Sequence, residues 1–97
     1  MPFEIILAAE AADDLNRLRA SERSSVRKAL ETFLRNEPGK TSRSRIKRLR
    51  GLSRPQYRLR IGEMRVFYDV TASAVEVLAI INKSRADEWL DQFGGSK

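Results

Sequence analysis

The chain has 97 residues, 41% of them hydrophobic and 33% charged, which is enough for one small core and not for a second domain. It contains no cysteine and no histidine, which excludes a disulfide framework, a thiol nucleophile, a serine–histidine relay and the usual zinc sites. Nineteen Lys and Arg against thirteen Asp and Glu give a formal charge of +6, which favours a polyanionic or acidic partner.

In chain order, Phe3, Ile5 and Leu7 alternate as in a short strand, and the alanine-rich stretch Ala8–Ala20 follows, with Leu15 and Leu18 as a modest helical stripe. Ser21 offers an N-cap for a second helix. There Val26, Ala29, Leu30, Phe33 and Leu34 keep helical spacing, and Asn36 to Gly39 ends it with Pro38 and Gly39 as breakers. Two consecutive amphipathic helices imply a helical hairpin. Ile46–Gly51 reads as a short strand, and Tyr57–Ile61, Met64–Val70 and Val75–Ile81 as three successive strands. Asn82–Phe93 closes the chain with a short amphipathic segment around Trp89, Leu90 and Phe93, and Gly94–Lys97 reads as a frayed tail. No apolar run approaches the ~20 residues that span a bilayer, and Met1–Ala9 has no basic segment before an apolar core, so a cytoplasmic protein without membrane contact is expected.

The charge is unevenly distributed. Between Lys40 and Arg65 ten basic residues stand against one acid, Glu63, while the rest of the chain carries nine basic residues against twelve acids. Lys40–Lys47, in a Ser- and Thr-rich stretch, reads equally well as a solvated surface. The later arginines alternate with apolar residues and carry more information.

In Tyr57–Val70, Gly62-Glu63 forms a two-residue loop with glycine first. It sets Ile61 opposite Met64, Arg60 opposite Arg65, Leu59 opposite Val66 and Arg58 opposite Phe67. Alternation sends Tyr57, Leu59, Ile61, Met64, Val66 and Tyr68 toward the helices and Arg58, Arg60, Arg65 and Phe67 to the other face. Like charges placed opposite each other are destabilising, so an anion is expected on that face. The chain's own Glu63, Asp69 or Glu76 could neutralise it. A phosphate is the alternative, because guanidinium forks match phosphate oxygens and Phe67 offers an apolar neighbour for a base or ribose.

These residues resemble toxins of the RelE/ParE superfamily from bacterial type II toxin–antitoxin systems. Lys47-Arg48-Leu49-Arg50-Gly51-Leu52 matches the family's K-x-L-x-G segment, Tyr57–Tyr68 its central hairpin motif, and Ile80–Arg85 the last strand with its basic exit. The resemblance implies one α+β domain over residues 1–97. Two N-terminal helices would pack on a twisted, mainly antiparallel sheet of four to five strands, with a short C-terminal helix and a concave basic site on the other face.

It further implies a toxin neutralised by a cognate antitoxin, with no cofactor and no metal. The RelE branch, which is favoured, cuts messenger RNA on the ribosome by attack of the ribose 2′-hydroxyl on the adjacent phosphate; the ParE branch poisons DNA gyrase. A non-toxic antitoxin-binding module is a third reading. For the RelE branch, Arg65 is expected to clamp the phosphate with Arg60 and Arg58 assisting, and Lys83 and Arg85 complete the catalytic set. Lys83 is the proton-transfer candidate, because a crowded lysine yields its proton more readily than an arginine. Lys47, Arg48, Arg50, Phe67 and Trp89 are expected to contact RNA. Two departures stand out. Arginine occupies positions 58 and 60, where many ribosome-dependent members carry lysine, and Trp89 stands near the place of a C-terminal tyrosine. Trp89 equally suits a core anchor for the last helix, and Tyr57 and Tyr68 fall on the core face.

Overall fold

The computed structural model describes residues 2–93, so the tail expected at 94–97 lies outside the described residues. Strand β1 (Glu4–Leu7) leads into α1 (Ala9–Arg17) and α2 (Ala20–Ala29). The strands β2 (Ile46–Arg48), β3 (Tyr57–Ile61), β4 (Met64–Val70) and β5 (Ala74–Asn82) follow, and a 3₁₀ turn at Lys83–Arg85 opens α3 (Ala86–Phe93). The five strands form one sheet in the order β1-β5-β4-β3-β2. Three of its four pairings are antiparallel and β1 runs parallel to β5, so the architecture is the expected α+β one.

The helical hairpin differs in detail from the sequence expectation. The first helix stops at Arg17, and Leu18 and Arg19 adopt extended backbone between the two helices. Ser21, expected as the N-cap, lies inside α2, and the capping position at Arg19 makes no side-chain hydrogen bond. The chain reversal is held instead by Arg23, whose guanidinium donates to the Leu18 carbonyl at 2.8 Å. Beyond Ala29 the helix widens into a π-helical turn at Leu30–Leu34. Val26, Ala29, Leu30 and Leu34 are buried and Phe33 is partly buried, as their spacing requires.

The hairpin register is the one read from the turn: Arg60 pairs with Arg65, Leu59 with Val66 and Arg58 with Phe67. Gly62 takes φ +57°, a backbone angle that side chains disfavour, which explains glycine at the first turn position. Leu59, Met64, Val66 and Tyr68 therefore join Leu15, Val26, Leu30 and Leu34 in the main core under α1 and α2. The β4–β5 ladder shifts between Phe67 and Tyr68, which pair with Ala79 and Val77, leaving Leu78 as an extra residue. That bulge turns Val75, Val77 and Ile80 to the same core although their spacing breaks strict alternation. Beside it, buried Asp14 of α1 accepts from the Ile80 N–H at 2.9 Å and from Arg17 at 2.9 Å, a tie across the layers.

A second, smaller cluster forms on the opposite face of the sheet. Phe67, Ala79 and Ala86 are buried there with Leu49, Ile81, Trp89 and Leu90 packed around them, so α3 covers part of the face that the hairpin reading left open. No described helix is long and apolar enough to cross a membrane.

Candidate functional site

Lys47, Arg58 and Phe67 stand side by side in one row across β2, β3 and β4, with Arg60 and Arg65 forming the adjacent row. The uncovered part of this face is a groove of about 880 Å³ between β2 with its flanking loops and the start of α3. Lys47, Arg48, Arg50, Arg58, Arg65 and Lys83 all line it, against a single lining acid, Asp87. Seven of the ten residues singled out for the site therefore meet in one groove, once Phe67 is included as part of its floor.

Arg58 is the most constrained of the cations. It is partly buried, and its Nε is shielded from solvent with no hydrogen-bond partner among the described residues. Burial first, and then the neighbouring Arg65 and Arg60 guanidinium groups, push its pKa below the ordinary arginine value. The neutralising acids suggested by the sequence are engaged elsewhere. Asp69 accepts from Arg54, Glu76 lies 3.6 Å from Arg54, and Glu63 lies 3.4 Å from Lys83. None of the ion pairs among the described residues involves Arg58, Arg60 or Arg65. Three guanidinium groups on one face thus stand without a carboxylate, and two of them, Arg58 and Arg65, are partly desolvated, where an added anion interacts strongly. Arg65 is held in position by its Nη1, which donates to the Gly62 and Met64 carbonyls at 2.8 and 2.9 Å.

Four of the ten expected residues are placed differently from the rest. Phe67 is fully buried and stacks on Trp89 with ring centroids 5.0 Å apart, so it has no free face for a base or ribose. Trp89 is partly buried, stacks on Phe67 and on Phe93, the latter at 4.7 Å, and its indole N–H donates to Glu10 at 3.2 Å; these contacts make it the anchor of α3. Arg60 is exposed and sits outside the groove lining, where its charge acts on Arg58 from the rim. Arg85 leaves the groove altogether and lines a separate small cleft with Glu10, Asp14, Arg17 and Glu88 beside α1, because the 3₁₀ turn rotates it away from Lys83.

Arg48 lies at the groove edge with its guanidinium 5.2 Å from the Tyr57 ring centre. Both tyrosines belong to the core. Tyr57 stacks on Tyr68 at 5.4 Å, and the Tyr68 hydroxyl donates to the Pro38 carbonyl at 2.6 Å. Burial, with a smaller contribution from Tyr57, pushes the Tyr68 pKa well above the ordinary phenol value. Sequence reasoning missed Asp69 as a structural partner of the β2–β3 loop; its only signal was an acid interrupting an apolar strand. Among the described residues, no three carboxylate, histidine or cysteine side chains gather to hold a metal ion.

A family model described as the ParE toxin of the type II toxin–antitoxin system, parDE, matches residues 5–87. Among solved structures, the fold is similar to a chain of the RelBE2 toxin–antitoxin complex from Mycobacterium tuberculosis, with a TM-score of 0.69 and 22% identity over 84% of this chain and 99% of that one. It is also similar to a chain of the RelB–RelE antitoxin–toxin complex from Methanococcus jannaschii, with a TM-score of 0.62 and 16% identity over 87% of this chain and 96% of that one. At these identities the likeness is one of fold. No match is found among curated proteins.

Proposed function

The chain belongs to the ParE toxin family of type II toxin–antitoxin systems, and on that premise we propose that it arrests growth by binding DNA gyrase, is held inactive by a cognate antitoxin, and works in the cytoplasm. The similar solved chains come from complexes with antitoxins, which supports such a partner. The observation that carries a binding rather than a cutting role is the fate of the aromatic side chains. A metal-free cut at a ribose 2′-hydroxyl needs groups to move two protons and, in the expected scheme, an aromatic ring to order a base. Here Trp89 is stacked on Phe67 and Phe93, Tyr68 is tied to Pro38 and Tyr57 is stacked on Tyr68. What the groove presents is six cations against one lining acid, with Lys83 alone of Arg58, Arg65 and Lys83 close to a carboxylate, which suits holding an anionic backbone or an acidic protein surface.

The ribosome-dependent mRNA endonuclease is the second reading, favoured by one specific feature. Arg58, Arg65 and Lys83 line the same groove, which is the arrangement required to hold a scissile phosphate and stabilise its developing charge. Inducing the chain in cells separates the two. Loss of plasmid supercoiling with intact messenger RNA supports gyrase; codon-phased new 5′ ends that require ribosomes support cleavage and would falsify the binding role.

A further inference from the structure

The groove wall formed by Arg48, Leu49 and Arg50 belongs to a segment that leaves β2 after three residues and has no strand partner beyond Arg48. A side chain outside the groove fixes its path. Asp69 of β4 is 7% exposed, and both of its carboxylate oxygens accept from the β2–β3 loop. Oδ2 takes the Arg54 Nε–H at 2.7 Å, and Oδ1 takes the Gln56 backbone N–H at 2.7 Å. Gln56 is held a second time through its side chain, whose Oε1 accepts from the Val70 N–H at 2.8 Å. The Gln56 carbonyl in turn accepts from the Leu49 N–H at 2.8 Å and from the Arg48 guanidinium at 3.4 Å. An unbroken chain of hydrogen bonds therefore runs from a buried carboxylate on the central sheet to the residues of the groove wall.

We propose that Asp69 is the positioning residue of the groove, setting Arg48 and Arg50 where a polyanion meets them. This rests on the reading of the groove as an anion-binding surface. A carboxylate is well suited to the task, because two charge-assisted bonds to one loop order it more strongly than neutral contacts do. Ordering the wall before the ligand arrives removes a loss of loop freedom that binding would otherwise incur. Asp69 also shares the groove face of β4 with Arg65 and Phe67 by alternation, yet its charge is taken up by Arg54 and leaves Arg58 and Arg65 without a carboxylate.

Positioning and simple electrostatics give opposite signs for one substitution. Asp69→Asn adds one positive unit to a chain of charge +6, so charge alone makes it bind a polyanion more tightly. If Asp69 positions the wall, it binds more weakly, because an amide nitrogen then faces the Arg54 donor and the loop is released. The probe is a fluorescein-labelled single-stranded oligonucleotide, titrated against wild type, D69N, R54K and E76Q over a range of salt. D69N is expected to weaken binding about tenfold, with a salt slope shallower by about one, because Arg48 and Arg50 are no longer both held against phosphates. R54K keeps its charge but loses the Nε hydrogen bond, and is expected to weaken binding in the same direction. E76Q adds the same positive unit on the neighbouring strand without touching Gln56, and is expected to bind at least as tightly as wild type.

Amide hydrogen exchange is the companion readout. D69N should accelerate exchange at Leu49, Gln56 and Val70 while leaving Val66 and Ile80 protected. D69N or R54K binding as tightly as wild type, or unchanged exchange in the loop, overturns the role of Asp69. Absence of salt-dependent binding by wild type itself overturns the groove reading instead, so the two failures are distinguishable.

Discussion

Arg60 stands directly across β3–β4 from Arg65, and no carboxylate among the described residues pairs with either. Facing like charges oppose folding by some tenths of a kcal/mol up to about 1 kcal/mol. Arg60→Gln is therefore expected to leave the melting temperature unchanged or to raise it by up to a few degrees, with the gain shrinking as salt is added. Calorimetry at low and high ionic strength checks this; a melting temperature several degrees lower would make Arg60 structural.

Arg58 presents the same conflict in a less solvated place. Its Nε is buried without a partner among the described residues, and Arg58→Met keeps the apolar stem while removing the charge. The variant is expected to gain about 1 kcal/mol of stability and to lose about tenfold in oligonucleotide affinity. Chemical denaturation and anisotropy titration of one preparation read both quantities. A stability loss accompanied by unchanged affinity contradicts the assignment.

How far the sequence carries can be seen at this pair of arginines. The Gly62-Glu63 turn fixes the register, and the register brings Arg58, Arg60 and Arg65 to one face; both features are local and read directly. What α3 covers is not local. Phe67 and Trp89 meet only because the 3₁₀ turn after Asn82 brings the last helix back over the sheet, and no periodicity reports that contact. The same turn separates Arg85 from Lys83, which linear spacing places together. The β5 bulge and the Asp69 tie to the β2–β3 loop are long-range events of the same kind.

Trp89 is the only tryptophan, and its stacking on Phe67 and Phe93 marks it as an anchor. Trp89→Leu preserves an apolar plug but removes the ring stack. It is expected to lower stability by about 1–2 kcal/mol and to leave oligonucleotide affinity within about twofold. A tenfold loss of affinity without loss of stability would show that the indole meets the ligand after all.

Tyr68 supplies a pH signature. Its hydroxyl is buried against the Pro38 carbonyl, and its pKa lies above the unfolded value of 10.0. A group whose folded pKa is raised gives stability that is fully present below the unfolded pKa and is lost as pH rises above it. Wild type should therefore lose more stability than Tyr68→Phe on passing from pH 9 to pH 11. At pH 7, Y68F should be less stable by about 1–2 kcal/mol, because the Pro38 carbonyl is left unpaired. Parallel pH dependence in the two proteins would contradict the buried phenol.

Under the proposed function the groove acts by binding, and gyrase is what it disables. The most direct measurement is in vitro supercoiling of relaxed plasmid by purified gyrase, titrated with the chain released from its antitoxin and with Arg65→Ala as the comparison. Wild type is expected to abolish supercoiling near stoichiometric amounts, R65A to have little effect, and restored antitoxin to bring supercoiling back. Supercoiling untouched by a large molar excess of correctly folded wild-type chain would contradict the proposed function.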